Sequence, residues 1–161
     1  MATEGNITVN VTDGTDALSS VSLSLDDDDS STATTDSDGE ATFEDIPNGT
    51  YTLTATKSGY ATVTKSITVA GADITVDIEM IATRSVSFTI NDGTDGIQNA
   101  EVVIDGDTAG KKTTGSSGGC TATLTDGEHE VVVTADGYTS KTETITVDST
   151  HSSFTISLTA V

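Results

Sequence analysis

The sequence predicts an all-β protein of two tandem Greek-key β-sandwiches, with six to seven strands in each. Three observations carry this prediction. Apolar residues recur at every second position, turn signals break these runs at short intervals, and the second half of the chain repeats the first. Strict alternation gives a strand one buried face. Short alternating runs without a helical stripe or helix caps point to a sandwich rather than a mixed fold. Composition agrees: the 161 residues include 33 threonines and one proline, Pro47, and only 4% are aromatic. Thr and Val favour strands, and cores so poor in rings must be aliphatic, anchored by Phe43, Tyr51, Tyr60, Phe88, Tyr138 and Phe154.

Taken in order, Ile7, Val9 and Val11 make the first strand, which ends at Asp13-Gly14-Thr15-Asp16. Val21, Leu23 and Leu25 make the next. Residues 26–38 read as a polar loop opening on four consecutive aspartates, 26–29, too charged to enter a core. Residues 36–60 organise the repeat. Ala41 and Phe43 share a face after the Asp38-Gly39 turn, and Tyr51, Leu53 and Ala55 share one after Pro47-Asn48-Gly49. The glycine of each turn is expected to supply the positive φ of a tight reversal. Gly59-Tyr60 closes the end of the core, and residues 61–69 and the alternating Ile74, Val76, Ile78 and Met80 complete the unit.

The same order then recurs. Val86, Phe88 and Ile90 answer the first strand at an offset of 79, and Asp92-Gly93-Thr94-Asp95 repeats Asp13–Asp16 letter for letter. Ala100, Val102 and Ile104 answer Val21, Leu23 and Leu25. Past Gly118 the offset falls to 78, which places the loss of one residue between Gly118 and Leu124. Asp126-Gly127, Val131, Val133, Gly137-Tyr138, Phe154, Ile156 and Leu158 then match their first-half counterparts. The domains are expected at 1–81 and 82–161. The junction Ile81-Ala82-Thr83-Arg84 has no Gly or Pro and is too short for a flexible tether, so an end-to-end, fairly stiff arrangement is expected.

Charge restricts the function classes. With 26 acids against 6 bases the net charge is −20, and 18 of the acids are aspartates. Such a surface repels nucleic acid and anionic membranes. It suits a high-salt origin, where a Debye length of about 3 Å at 1 M salt screens self-repulsion, or an ordinary surface kept soluble by charge. Cys120 is the sole cysteine, which excludes an intrachain disulfide, and its inward strand position makes it a small hydrophobe. The start at Met1 shows no basic-then-apolar leader, and no stretch approaches the ~20 apolar residues of a membrane helix.

Catalysis has little material. His129 and His151 stand at strand edges among polar residues without a nucleophile elbow, and His129 occupies the position of Tyr51, which reads as a partly buried strand residue. No catalytic or cofactor-binding residue is assigned. The one metal pattern is Asp36-Ser37-Asp38-Gly39-Glu40, where Asp36, Asp38 and Glu40 resemble the opening of a Ca²⁺ loop. Asn48 stands where that loop needs its bidentate Glu, and D-x-D-G is also an ordinary β-turn sequence. Three Asn-x-Thr sequons, at Asn6, Asn10 and Asn48, matter only for a secreted protein.

The pattern TDSDGEATFEDIPNGTYTLTATKSGY, preceded by an alternating strand and followed by ITVAGADITVDIEM, resembles the carboxypeptidase regulatory-like and Cna-B-like group of prealbumin-like sandwiches. The resemblance spans both repeats and is stronger in the first, since the second loses the acidic turn at residues 116–120. It implies a seven-stranded module used as spacer, adhesive or decoration on surface proteins and virions, with no reaction of its own. Some Cna-B-like domains carry a Lys–Asn isopeptide bond. Neither first strand here (residues 7–11 and 86–90) contains a lysine, so that bond is not carried over. The expected function is a non-enzymatic structural protein on a virus particle: a head decoration, turret or tail-associated protein of a tailed virus, with a halophilic host. It would be made in the host cytoplasm, without a leader, and would assemble symmetrically with other virion proteins or copies of itself. The alternatives are an adhesive or stalk module of a cell-surface protein and a carbohydrate-binding accessory module, the last disfavoured by the lack of Trp.

Overall fold

The alternation of the first strand becomes a buried face: Ile7, Val9 and Val11 of β1 (Glu4–Thr12) are fully covered, while Thr8 and Asn10 between them are half-exposed. This computed structural model describes residues 3–27 and 29–161. Met1 and Ala2, on which the leader reading rests, and Asp28 of the acidic run lie outside the described residues. The chain divides into two compact units at Ala82/Thr83, and among the described residues there is no helix.

In the first unit β1 is followed by β2 (Ser22–Leu25), β3 (Thr32–Thr34), β4 (Glu40–Pro47), β5 (Gly49–Thr56), β6 (Val63–Val69) and β7 (Ile74–Glu79). They form two sheets, ordered β4-β1-β7 and β3-β2-β5-β6. The second unit has β8 (Thr83–Asn91), β9 (Glu101–Ile104), β10 (Asp107–Thr113), β11 (Gly119–Thr125), β12 (Gly127–Thr134), β13 (Lys141–Val147) and β14 (Ser153–Ser157), in sheets ordered β11-β8-β14 and β10-β9-β12-β13. The two orders are the same. In each unit the first strand runs antiparallel to the fourth and parallel to the seventh. The core of each unit is the layer of aliphatic side chains between its sheets.

Several expectations need correcting. Residues 26–38 are not a loop throughout, because β3 pairs with β2 and Ala33 packs against the core. Thr35 just beyond it is buried: its hydroxyl donates to the Leu18 carbonyl (2.6 Å) and accepts from the Val21 amide (2.9 Å). Thr114 makes the same two bonds, to Ile97 and Ala100, at the same distances. A buried hydroxyl is tolerated only when bonded, and here it bolts the loop before the second strand of each unit to the end of the third. Gly49 does not supply a positive φ. The left-handed residue of that stretch is Asp45 (φ 54), and a Cβ at Gly49 would press on the end of the Tyr51 ring, 2.9 Å from its hydroxyl oxygen. Gly39 does fit expectation, with φ of 76, and its counterpart Gly118 has φ of 73. His129 is the third residue of β12, an inner strand of its sheet, and is buried.

The missing residue of the second repeat is a β-bulge. In β1–β4 the register slips between Gly5 and Ile7, so that Glu44 and Asp45 together face Asn6, whose side-chain oxygen accepts the Asp45 amide (3.0 Å). In β8–β11 the ladder runs unbroken and Thr123 alone faces Ser85. The registers then equate Phe43 with Ala122, Val9 with Phe88 and Val76 with Phe154. The large ring of the first core has moved to the neighbouring strands in the second, where Phe88 and Phe154 stack at 6.0 Å between centroids.

Candidate functional site

Asp36, Asp38 and Glu40 lie in the β3–β4 turn, and backbone geometry consumes the first of them. One Asp36 carboxylate oxygen accepts the amides of Asp38 (2.9 Å) and Glu40 (3.0 Å), while the Asp36 amide donates to the Glu40 carbonyl. This is an Asx turn. Among the described residues no group of three or more His, Cys, Asp or Glu side chains converges as a metal site would require. Other acids do the same work. Asp13 and Asp92 each hold two amides of their matched turns, and Asp148 holds the Thr150 hydroxyl together with the amides of Thr150 and His151; these bonds keep all three carboxyls below the usual range. Of the acidic run, Asp26 accepts the Thr52 amide, and Asp27 accepts the amide and hydroxyl of Ser31.

The second unit contains a set that the sequence reading did not assemble. His129 is buried (8% exposed), with Nδ1 2.6 Å from an Asp105 carboxylate oxygen and Nε2 2.8 Å from the Thr125 carbonyl. Both neighbours are acceptors, so both ring nitrogens are satisfied only as N–H donors, in the imidazolium form. Burial alone would depress its pKa. The bonds to Asp105 and Thr125, with the Asp105 charge, outweigh burial and raise it. The His129 bond holds the Asp105 carboxyl below its ordinary value in turn. The first unit has the same frame: the Tyr51 hydroxyl donates to the Pro47 carbonyl (2.8 Å), and Asp26 takes the Thr52 amide as Asp105 takes that of Glu130. The signal was the alignment of His129 on Tyr51, but Asp105 is 24 residues upstream and only pairing of β9 with β12 brings it in.

Elsewhere in the second unit, Arg84 clasps Asp126 through two nitrogens, one contact at 2.8 Å. Cys120 is half-buried against the core, and burial pushes its thiol up. His151 is exposed and bonded within its own turn. Two adjoining depressions of about 340 and 320 Å³ share Asn99, Ala135 and Asp136. No helix of the described residues is long and apolar enough to cross a membrane.

Comparison with known proteins gives the following. Residues 6–81 match the carboxypeptidase regulatory-like domain, and residues 97–160 match the PEGA domain. No curated protein sequence matches. Among solved structures, the Bacillus anthracis TIE protein is similar at 18% identity over 99% of this chain and 34% of its own (TM-score 0.47). A streptococcal ancillary pilin is similar at 17% over 99% and 63% (0.48), and the minor pilin GBS52 of Streptococcus agalactiae at 18% over 98% and 96% (0.46). The chain thus spans about a third of the first of these proteins and less than two thirds of the second. The first unit, with its seven-stranded sandwich and the residue 35–60 turn pattern, is thus similar to the carboxypeptidase regulatory-like domain over residues 6–81.

Proposed function

We propose that the chain is a non-catalytic structural module, a duplicated sandwich serving as a stalk or adhesive part of a cell-surface protein. The observation that carries this reading is what the two units keep in common. They share the strand order, the buried aliphatic positions, the Asp13 and Asp92 turns and the Thr35 and Thr114 hydroxyl bolts. Every shared feature serves the scaffold, and the sites where the units differ are at the surface or within the packing. A duplicated scaffold with varied surfaces suits a protein that acts by shape and contact. The net charge of −20 keeps such a surface hydrated and directs it toward basic rather than acidic partners. The acidic surface and repeated sandwich would serve equally on a virus particle, assembled with capsid or tail proteins, and the same experiment separates the two. Antibody raised against the purified protein is applied to intact cells, to sections of cells and to virus particles from the source culture. Gold label on the cell envelope is the expected result. Label confined to particles transfers the module to the virion, and label found only inside cells overturns both.

A further inference from the structure

We infer that the cleft formed by Gln98, Asn99, Glu101, Ala135, Asp136 and Tyr138 in the second unit is a seat for the ammonium group of a lysine side chain on a basic partner polypeptide. The first unit supplies the reason. At the position of Ala135 it carries Lys57, in TKSGY against TADGY. Lys57 is half-buried, and its ammonium donates to the Ser19 carbonyl at 2.7 Å. The backbone that presents that carbonyl is repeated: Ser20 and Asn99, one residue on, are both left-handed (φ 57 and 61), and the bolts of Thr35 and Thr114 fix both loops. Gln98 therefore offers the same acceptor, and among the described residues nothing donates to it.

The surrounding charge has also changed in one direction. Where the first unit has Lys57, Ser58 and Ser22, the second has Ala135, Asp136 and Glu101. Glu101 is paired with Lys111, whereas among the described residues the Asp136 carboxylate enters no hydrogen bond or ion pair. One cation has been withdrawn and an unpaired carboxylate placed beside the acceptor it used. A carbonyl and a carboxylate lining one polar cleft suit a compact ammonium with three donors. A second copy of this chain is a poor donor. It carries the same charge of −20, and of its five lysines Lys57, Lys65, Lys111 and Lys141 are engaged within their own units. The inference concerns this cleft alone and does not depend on where the protein is displayed.

The test is a nuclear magnetic resonance titration of the full chain with Nα-acetyl-lysine methylamide at about 0.15 M salt, with the norleucine analogue as an equal stem lacking the ammonium. Amide shifts confined to residues 96–101 and 134–138, seen with lysine only, are the expected result. Ala135→Lys, which returns the chain's own ammonium to the Gln98 carbonyl, is expected to weaken the probe by about tenfold or more. Asp136→Ser, a surface change to the first unit's residue, is expected to weaken it by about threefold. Absent shifts, shifts spread over the acidic surface of both units, equal shifts with norleucine, or Asp136→Ser binding as tightly as the parent would each overturn the inference.

Discussion

The two units share one backbone plan and solve two packing problems differently. The first fills its core from β4 with Phe43, beside a bulge at Asp45. The second has Ala122 there, no bulge, and draws its bulk from Phe88 on β8 and Phe154 on β14. The lesson is that the bulk lost at one core position is returned at its neighbours on adjacent strands, as expected of a core packed near crystal density. The end of the core shows the same freedom. Tyr51 and His129 reach the same backbone carbonyl, four residues upstream, one through a neutral hydroxyl and the other through a ring that needs a counter-charge.

The largest effects are expected in the relocated rings. Phe88→Ala should cost the second unit about 3–5 kcal/mol, the range for emptying a buried aromatic site, measured as loss of hydrogen-exchange protection in β8 and β11 with β1 and β4 unaffected. Ala122→Phe alone should overpack the second core by about 1–3 kcal/mol. Combining it with Phe88→Val and Phe154→Val, which restores the first unit's arrangement, should recover part of that loss. If the triple variant is no better than the sum of its parts, the volume exchange is not the reason for the difference.

Next come the hydroxyl bolts. Thr35→Val and Thr114→Val keep the shape but leave a buried carbonyl and amide without their partner, a cost of about 1–3 kcal/mol each. Because the two bolts have matching bond lengths, chemical denaturation should show similar losses in the two units. A large asymmetry would mean that one loop is held by something else. A smaller change, of about 1 kcal/mol or less and in the stabilising direction, is expected for Asp45→Gly, since the bulge holds a β-carbon in the left-handed region.

The sandwich and its duplication were legible because alternation and turn glycines are local, and the second copy checks the first. What escaped was non-local. β3 holds one inward apolar residue, Ala33, between threonines, so period two had nothing to count. Thr35 could not be told from the other threonines of a Thr-rich chain until its fold neighbours, Leu18 and Val21, were known. The offset change after Gly118 announced a lost residue, but only strand register shows that the loss is Thr123 replacing a bulge. The acidic Asp36 pattern was visible as a motif. Its carboxylate turns out to be committed to the turn it sits in.

The finest discrimination between the units is their response to pH. The His129 pKa is raised on folding, so its contribution is complete below its ordinary value of 6.5 and disappears as pH climbs through the folded value. The Asp105 carboxyl is depressed, so its contribution is complete above 3.8 and disappears as pH falls through the folded value. The pair therefore supports the second unit most fully between 3.8 and 6.5, and alkali weakens it by leaving one ring nitrogen without a proton opposite an acceptor. Asp105 is half in water, so the effect should be below about 1 kcal/mol. His129→Tyr supplies the first unit's solution, a hydroxyl aimed at the Thr125 carbonyl. Hydrogen exchange in β12, corrected for intrinsic rate and compared at about pH 6 and about pH 8.5, should show protection falling in the parent and staying level in the tyrosine variant. The imidazole nitrogens should both carry protons at about pH 6, below the ordinary value, in a nitrogen-detected spectrum. A neutral ring at that pH, or equal pH dependence in parent and variant, would remove the charge from this account and leave His129 as a simple isostere of Tyr51.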